Sequence, residues 1–438
     1  MRPNIFDYAT SELSQDAFLL WLLRWADQTC SQEDTALHAI AQRFVRTILK
    51  KSNDFEISEV KVFKQWKKID VLAVVNNHYA IIIEDKTDTS EHGGQLSRYS
   101  KIVCENFPNM NLTCVYYKSG NECMQSLREM RRKYKQNNDG NELFILTRGD
   151  MLELLTSEKC DNEILTSYLS YIDDIEQETN SFALKPVDEW GWRAWQGFYK
   201  TIEKWFDIDL NLGWNTISRK SGGFQGCYFN FCSINNEKAK LYILIEGTPK
   251  SLKDTKICFK ICHISEQPIA ACRKWSQNVI STAKGSGLLN IKKLSKFRKG
   301  EYMTVAGIEG KDFFGTGIVD LKNIETLLRQ YVYLINKITM KTVEIFESPF
   351  EAKSISKDAL YEFMLAFFRE SNMYYNIKFL TEDANIHQNQ DGFWVAEVNR
   401  IWDTDRTQRM YDWEQAMRKT SSIYVDGEQI LIKYKRLI

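Results

Sequence analysis

The stretch IDVLAVVNNHYAIIIEDK, residues 69–86, limits the fold more than any other. Two apolar runs, IDVLAVV and YAIII, flank the polar break Asn76-Asn77-His78. Each run is far too short for a membrane span and apolar without a break, so each reads as a strand buried on both faces. Such strands need helices on either side of their sheet. The second run does not close in a turn but in Glu84, Asp85 and Lys86, and the first carries Asp70 near its start.

A hairpin whose three-residue loop is centred on Asn77 sets Asp70 directly across from Glu84, on one face, with Cβ atoms about 5 Å apart. Period two places Lys86 on that face and Asp85 on the other, where it reads as structural. A two-residue Asn-Asn turn would send Asp70 to the far side. Two carboxylates that close repel unless a cation lies between them. A divalent ion with oxygen ligands answers this, and magnesium favours one or two carboxylates plus phosphate and water. Asp70 and Glu84 are thus the candidate metal ligands for Mg2+ (or Mn2+). Lys86 is the charge that supports the attacking water or the phosphate.

Around the hairpin the elements follow in a definite order. The segment SELSQDAFLLWLLRWADQ repeats apolar residues at helical spacing, and DTALHAIAQRFVRTILKKS gives a second helix. Three strands follow, FEISEVKVFKQW, KKIDVLAVV and YAIIIEDKT, then a helix from Gln95, a strand LTCVYYK, a basic helix QSLREMRRKYKQ and a strand ELFILT. A mixed sheet flanked by helices accommodates this order.

Taken together, these residues resemble the PD-(D/E)XK nuclease superfamily and a bacterial subgroup within it. The resemblance covers about the first 175 residues, a usual domain size. It rests on the αβββαβ order, on Asp70 and Glu84-Asp85-Lys86, and on QLSRY, which supplies the Q-x-x-x-Y of some members as Gln95 and Tyr99. Ile69 stands where the name-giving proline would be. The resemblance implies an α/β, restriction-endonuclease-like fold and a hydrolase that cuts phosphodiester bonds, DNA before RNA. It also implies substrate positioning by Gln95 and Tyr99 and an acid on the first helix, Glu12, with Asp16 in reserve. Defence, repair and mobile-element biology are the settings such an enzyme would serve. The alternative is a nuclease fold that has lost its activity and kept a binding or adaptor role. An intact Asp70, Glu84 and Lys86 argue against it.

The rest of the chain matches no module. Residues 186–342 read as an α+β domain, and residues 343–438 as a small α+β region with a helix at SKDALYEFMLAFFRE and a hairpin around Asp426-Gly427. The net charge of zero is unevenly spread: −7 over residues 1–180, +10 over 181–345 and −3 over 346–438. A basic middle block beside an acidic first block suits a polyanionic partner. Lys292, Lys293, Lys296 and Arg298, beside Phe297, are its candidate nucleic-acid contacts. The ten cysteines follow no paired metal spacing and read as small buried residues. No apolar run reaches a membrane span and the first residues do not resemble a signal peptide, so a cytoplasmic protein is expected. Oligomeric state is not legible.

Overall fold

In the computed structural model the described residues are 3–8, 12–89, 94–206, 211–219, 222–234, 239–264 and 267–339, with five strands beyond them. Two units emerge, residues 1–231 with 238–332, and residues 232–237 with 333–438.

The first unit begins with two helices, α1 (Glu12–Trp25) and α2 (Thr35–Ile48), before β1 (Val60–Trp66), β2 (Ile69–Val75) and β3 (Tyr79–Lys86). Then come α3 (Gln95–Asn106), β4 (Asn111–Lys118), α4 (Met124–Asn137), β5 (Leu143–Thr147), α5 (Arg148–Leu155) and α6 (Glu163–Asn180). The strands form one sheet in the order β1-β2-β3-β4-β5. β1, β2 and β3 pair antiparallel, while β3-β4 and β4-β5 pair parallel. This is the mixed sheet expected from the element order.

Alternation along the strands divides the core. Val71, Ala73, Val75, Ile81 and Ile83 pack with α1, α2, α5 and α6 on one face. Leu72, Ala80, Ile82, Cys114 and Tyr116 pack with α3 and α4 on the other. Helices α3 and α4 are crossovers between parallel strands, and the fixed hand of such crossovers puts both on the same face. The hairpin register is the expected one. Val71 pairs with Ile83, Leu72 with Ile82 and Val75 with Tyr79, around a loop in which Asn76 and Asn77 adopt positive φ.

The same unit carries α7 (Trp192–Phe206) and a second sheet of β6 (Gly213–Ile217), β7 (Phe224–Ser233), β8 (Lys240–Gly247), β9 (Lys256–Cys262) and β10 (Tyr302–Glu309). Its order is β10-β9-β8-β7-β6. Helix α8 (Pro268–Gly285) precedes β10, and α9 (Gly310–Phe314) and α10 (Leu321–Thr339) follow it. The two sheets belong to one unit because α6 and α7 pack closely. At Gly197 of α7 a Cβ would fall 1.9 Å from the Thr179 carbonyl oxygen, so only glycine allows the approach.

In the second unit β11 (Ala384–Gln388) pairs with β12 (Trp394–Val398), which pairs with β15 (Lys433–Tyr434). β13 (Ile423–Val425) and β14 (Glu428–Ile430) pair antiparallel on either side of Asp426-Gly427, as the turn dipeptide suggests. The helix expected at residues 356–370 lies outside the described residues.

Candidate metal centre

The C-terminal end of β3 carries Glu84 and Asp85, both fully buried, and Lys86, nearly so. Facing them from α1 are Gln15 and Asp16, also buried. Asp16, Asp70 and Asp85 each offer a carboxylate oxygen, and these atoms lie within 4.8 Å of one another. Gln65 Nε2 donates to Asp70 Oδ1 at 3.1 Å and reaches Asp16 Oδ2 at 3.4 Å.

This set differs from the expected pair of Asp70 and Glu84. Asp70 takes part, and Asp16 and Asp85 stand with it where Glu84 was expected. The cause lies at the start of β2. Ile69 packs on the α3 side and Val71 on the α1 side, although strict alternation would put them together. The tight β1–β2 connection, where Gln65, Lys67 and Lys68 all have positive φ, breaks the alternation at Asp70. Asp70 thus meets Asp85 and Asp16 on the α1 side. Of the two acids expected on the first helix, Asp16 lies in this group, and the side chain of Glu12 lies outside the described residues.

Glu84 is held by Lys86 instead. Lys86 Nζ lies 2.7 Å from Glu84 Oε1 and donates to the Asp85 carbonyl at 3.0 Å. Tyr99 packs into the α3-side core with Arg98 over its ring, and Gln95 is half-buried at the first residue of α3. A buried chain supports Asp85. Gln15 Nε2 donates to Asp85 Oδ2 at 2.6 Å, the Tyr168 hydroxyl donates to Gln15 Oε1 at 3.1 Å, and Tyr117 and Tyr168 share a hydrogen bond at 2.9 Å. Nothing in the sequence marks Gln15 or Tyr168, because their meeting spans 153 positions.

The charges strain against one another. Burial pushes Asp16 up to about 9, and a hydrogen bond to Asp85 and the negative charges of Asp85, Asp70 and Glu84 add to it. Burial also pushes Glu84 up to about 7, against the pull of Lys86. Asp16 Oδ1 is buried and accepts no hydrogen bond among the described residues. An oxygen-only set with a buried acceptor of this kind fits a hard divalent cation. With no cation, a proton on Asp16 relieves the repulsion.

A pH dependence follows. Both acids are raised above their unfolded values, so they contribute stability that is present at low pH and lost as pH rises through about 7 for Glu84 and about 9 for Asp16. The metal-free protein is expected to melt at progressively lower temperature from about pH 5 to pH 9. Mg2+ should reverse that loss, and at neutral pH its binding should release about one proton. Melting scans and calorimetry in buffers of different ionisation heat measure both. A flat melting profile with no proton release would rule the arrangement out.

A family model described as the PD-(D/E)XK nuclease superfamily matches residues 3–232, just over half the chain. The chain belongs to the PD-(D/E)XK nuclease superfamily. No curated protein and no solved structure gives a significant match. The matched span takes in the first sheet, the carboxylate group, α7 and the first two strands of the second sheet.

Proposed function

We propose that this protein is a divalent-metal-dependent nuclease that hydrolyses phosphodiester bonds, with DNA as substrate and magnesium or manganese as cofactor. The observation that carries the reading is the convergence of Asp16, Asp70 and Asp85 in a chain of this superfamily. Asp16, Asp70 and Asp85 would hold the cation, which supplies Lewis-acid stabilisation of phosphate charge. Lys86, fixed by Glu84, presents its ammonium at the strand end, where it supports the water or the phosphate. Glu84, raised to about 7, is suited to hold or pass a proton near neutral pH. Gln95, at the start of α3, remains the substrate-positioning candidate, while Tyr99 supports the helix.

The basic middle block is proposed to follow the nucleic-acid backbone through Lys296, Arg298 and Lys293, the last resting over Phe297 at 4.3 Å. Lys292 is less suited to this. Its ammonium is paired with Asp312 at 3.2 Å and Glu309 at 3.5 Å. Among the described residues no helix is long and apolar enough to cross a membrane. The cytoplasm is the proposed setting.

The deciding experiment is a cleavage panel of linear, circular and single-stranded DNA and RNA, each with Mg2+, with Mn2+ and with chelator. Metal-dependent cutting of DNA is expected, and no cutting of any substrate with either metal would refute the reading. In the same assay Lys86→Ala should slow cleavage about a hundredfold, as for other preorganised charges, while leaving Mg2+ binding in place. Cleavage at the parental rate would remove Lys86 from the mechanism.

A further inference from the structure

One face of the second sheet holds a buried carboxylate with more positive charge than it needs. Glu246 of β8 is almost fully buried, and three cations converge on it. Arg219 Nη2 lies at 3.2 Å, Lys256 Nζ at 3.2 Å and Lys260 Nζ at 3.6 Å. The register explains the meeting, since Glu246 pairs with Lys256 and Tyr242 with Lys260, all on one face. Burial alone would raise Glu246, yet Lys256, Lys260 and Arg219 together hold it below the usual range. One carboxylate satisfies one cation. Arg219 and Lys256 remain 45% and 37% exposed, with donors to offer.

A cavity of about 180 Å³ lies against this cluster. Lys253, Lys256, Thr255, Thr304, Ser295 and Glu309 line it. The acid in that lining, Glu309, is 61% exposed and shares Lys292, at 3.5 Å, with Asp312 at 3.2 Å. The roof is the basic segment after α8. Lys292 exchanges backbone hydrogen bonds with Gly307 of β10, at 2.9 and 2.8 Å. Leu294 then folds over Gly307, where a Cβ would come within 2.5 Å of its Cδ1. Ammonium groups and hydroxyls around a small cavity form the donor set of a phosphate site, in which each charge-assisted bond is strong.

We propose that this cavity binds a phosphate group, held by Lys253 and Lys256 with the Thr304 hydroxyl, while Glu246 fixes Lys256 in place. The phosphate is either one unit of a nucleic-acid backbone or a free phosphate. The site stands whether or not the carboxylate group on the first sheet cuts nucleic acid.

The test uses the full chain in chelator, so that no cleavage occurs and the metal centre attracts no anion. Inorganic phosphate and a short single-stranded oligonucleotide are titrated separately by calorimetry at constant ionic strength. The double variant Lys253→Gln/Lys256→Gln leaves Arg219 and Lys260 on Glu246, so folding should survive, and melting scans check it. It should bind phosphate about tenfold more weakly than the parent. Thr304→Val, which changes no charge, should weaken binding about threefold. A matching loss for the oligonucleotide supports a backbone-phosphate site, and a loss for inorganic phosphate alone supports a free-phosphate site. Unchanged phosphate affinity in both variants overturns the proposal. So does an equal loss in the charge-matched control Lys185→Gln/Lys322→Gln, which would reduce the effect to net charge.

Discussion

Asp85→Asn is expected to abolish tight Mg2+ binding and to lower cleavage about a thousandfold. The substitution keeps an amide oxygen for the hydrogen bond from Gln15 Nε2, so the support from α1 survives. What it removes is one of the three carboxylates that converge within 4.8 Å. Asp16 should then titrate closer to an ordinary carboxylate, since Asp85 contributes both a hydrogen bond and a charge to its elevation. The fall in melting temperature with rising pH should shrink accordingly. Glu84→Gln is the contrasting variant. Glu84 lies outside the converging group, so Mg2+ should still raise the melting temperature, while cleavage falls because Lys86 loses its anchor at 2.7 Å. Calorimetry with Mg2+, melting scans and initial rates on both variants measure this. Should Asp85→Asn bind Mg2+ as the parent does while Glu84→Gln does not, the ligand set is Asp70 with Glu84, and the side taken by Asp70 is misassigned.

The contrast between those variants marks where the sequence was legible and where it was not. Two apolar runs around Asn76-Asn77-His78 determine a hairpin, and a three-residue loop centred on Asn77 sets its register, since strands buried on both faces have no outward side to decide it. Val71 opposite Ile83 follows from that rule. Asp70 escapes it. The residue lies one step inside a tight connection with three positive-φ residues, and local backbone geometry overrides alternation there. The acid on α1 was recognisable as a residue type on the first helix. Which of Glu12 and Asp16 reaches the strands depends on how the helix is rotated over the sheet. That rotation follows from which α1 residues are buried, Phe18, Leu19, Leu22 and Leu23 among them.

Other features depend on tertiary contacts with no local trace. Tyr168 reaches Gln15 only because α6 closes over α1. A run of lysines and arginines gives its net charge in sequence, but not which members are already paired. Lys292 looks like its neighbours until Glu309 and Asp312 are seen beside it. Likewise Tyr99 of the QLSRY segment shares a helix face with Gln95, yet it is enclosed by Ile69, Leu72 and Tyr116. Spacing put the two residues on one face and could not tell which would be covered.

Arg148→Ala is expected to destabilise the first unit by about 2–4 kcal/mol, because it removes a buried guanidinium that makes several charge-assisted hydrogen bonds. Arg148 opens α5 and is 2% exposed. Its Nε and Nη2 donate to Glu176 Oε2 of α6 at 2.8 and 2.6 Å, and its Nη1 donates to the Ser119 carbonyl at 2.6 Å. Nη2 also reaches Asn121 Oδ1 at 3.1 Å, and Asn121 donates on to Gln196 of α7 at 3.0 Å. One guanidinium thus joins α5, α6, the exit of β4 and, through Asn121, α7. Alanine would leave the buried Ser119 carbonyl without this donor and the part-exposed Glu176 carboxylate without its cation. Burial would raise Glu176, and the bonds to Arg148 hold it below its ordinary value instead. Its contribution is therefore present near neutral pH and lost as pH falls, so parent and variant should converge in stability under acid. Lysine should rescue little, because it lacks the planar fork that serves Glu176 and Ser119 together. The effect should reach the metal centre as well. The Ser119 amide donates to the Lys86 carbonyl at 3.1 Å, so loosening Ser119 loosens the strand end that carries Lys86. Urea unfolding of Arg148→Ala and Arg148→Lys, with cleavage rates measured under folding conditions, tests both halves. A loss below about 1 kcal/mol in Arg148→Ala would show that α5 and α6 are held by apolar packing alone.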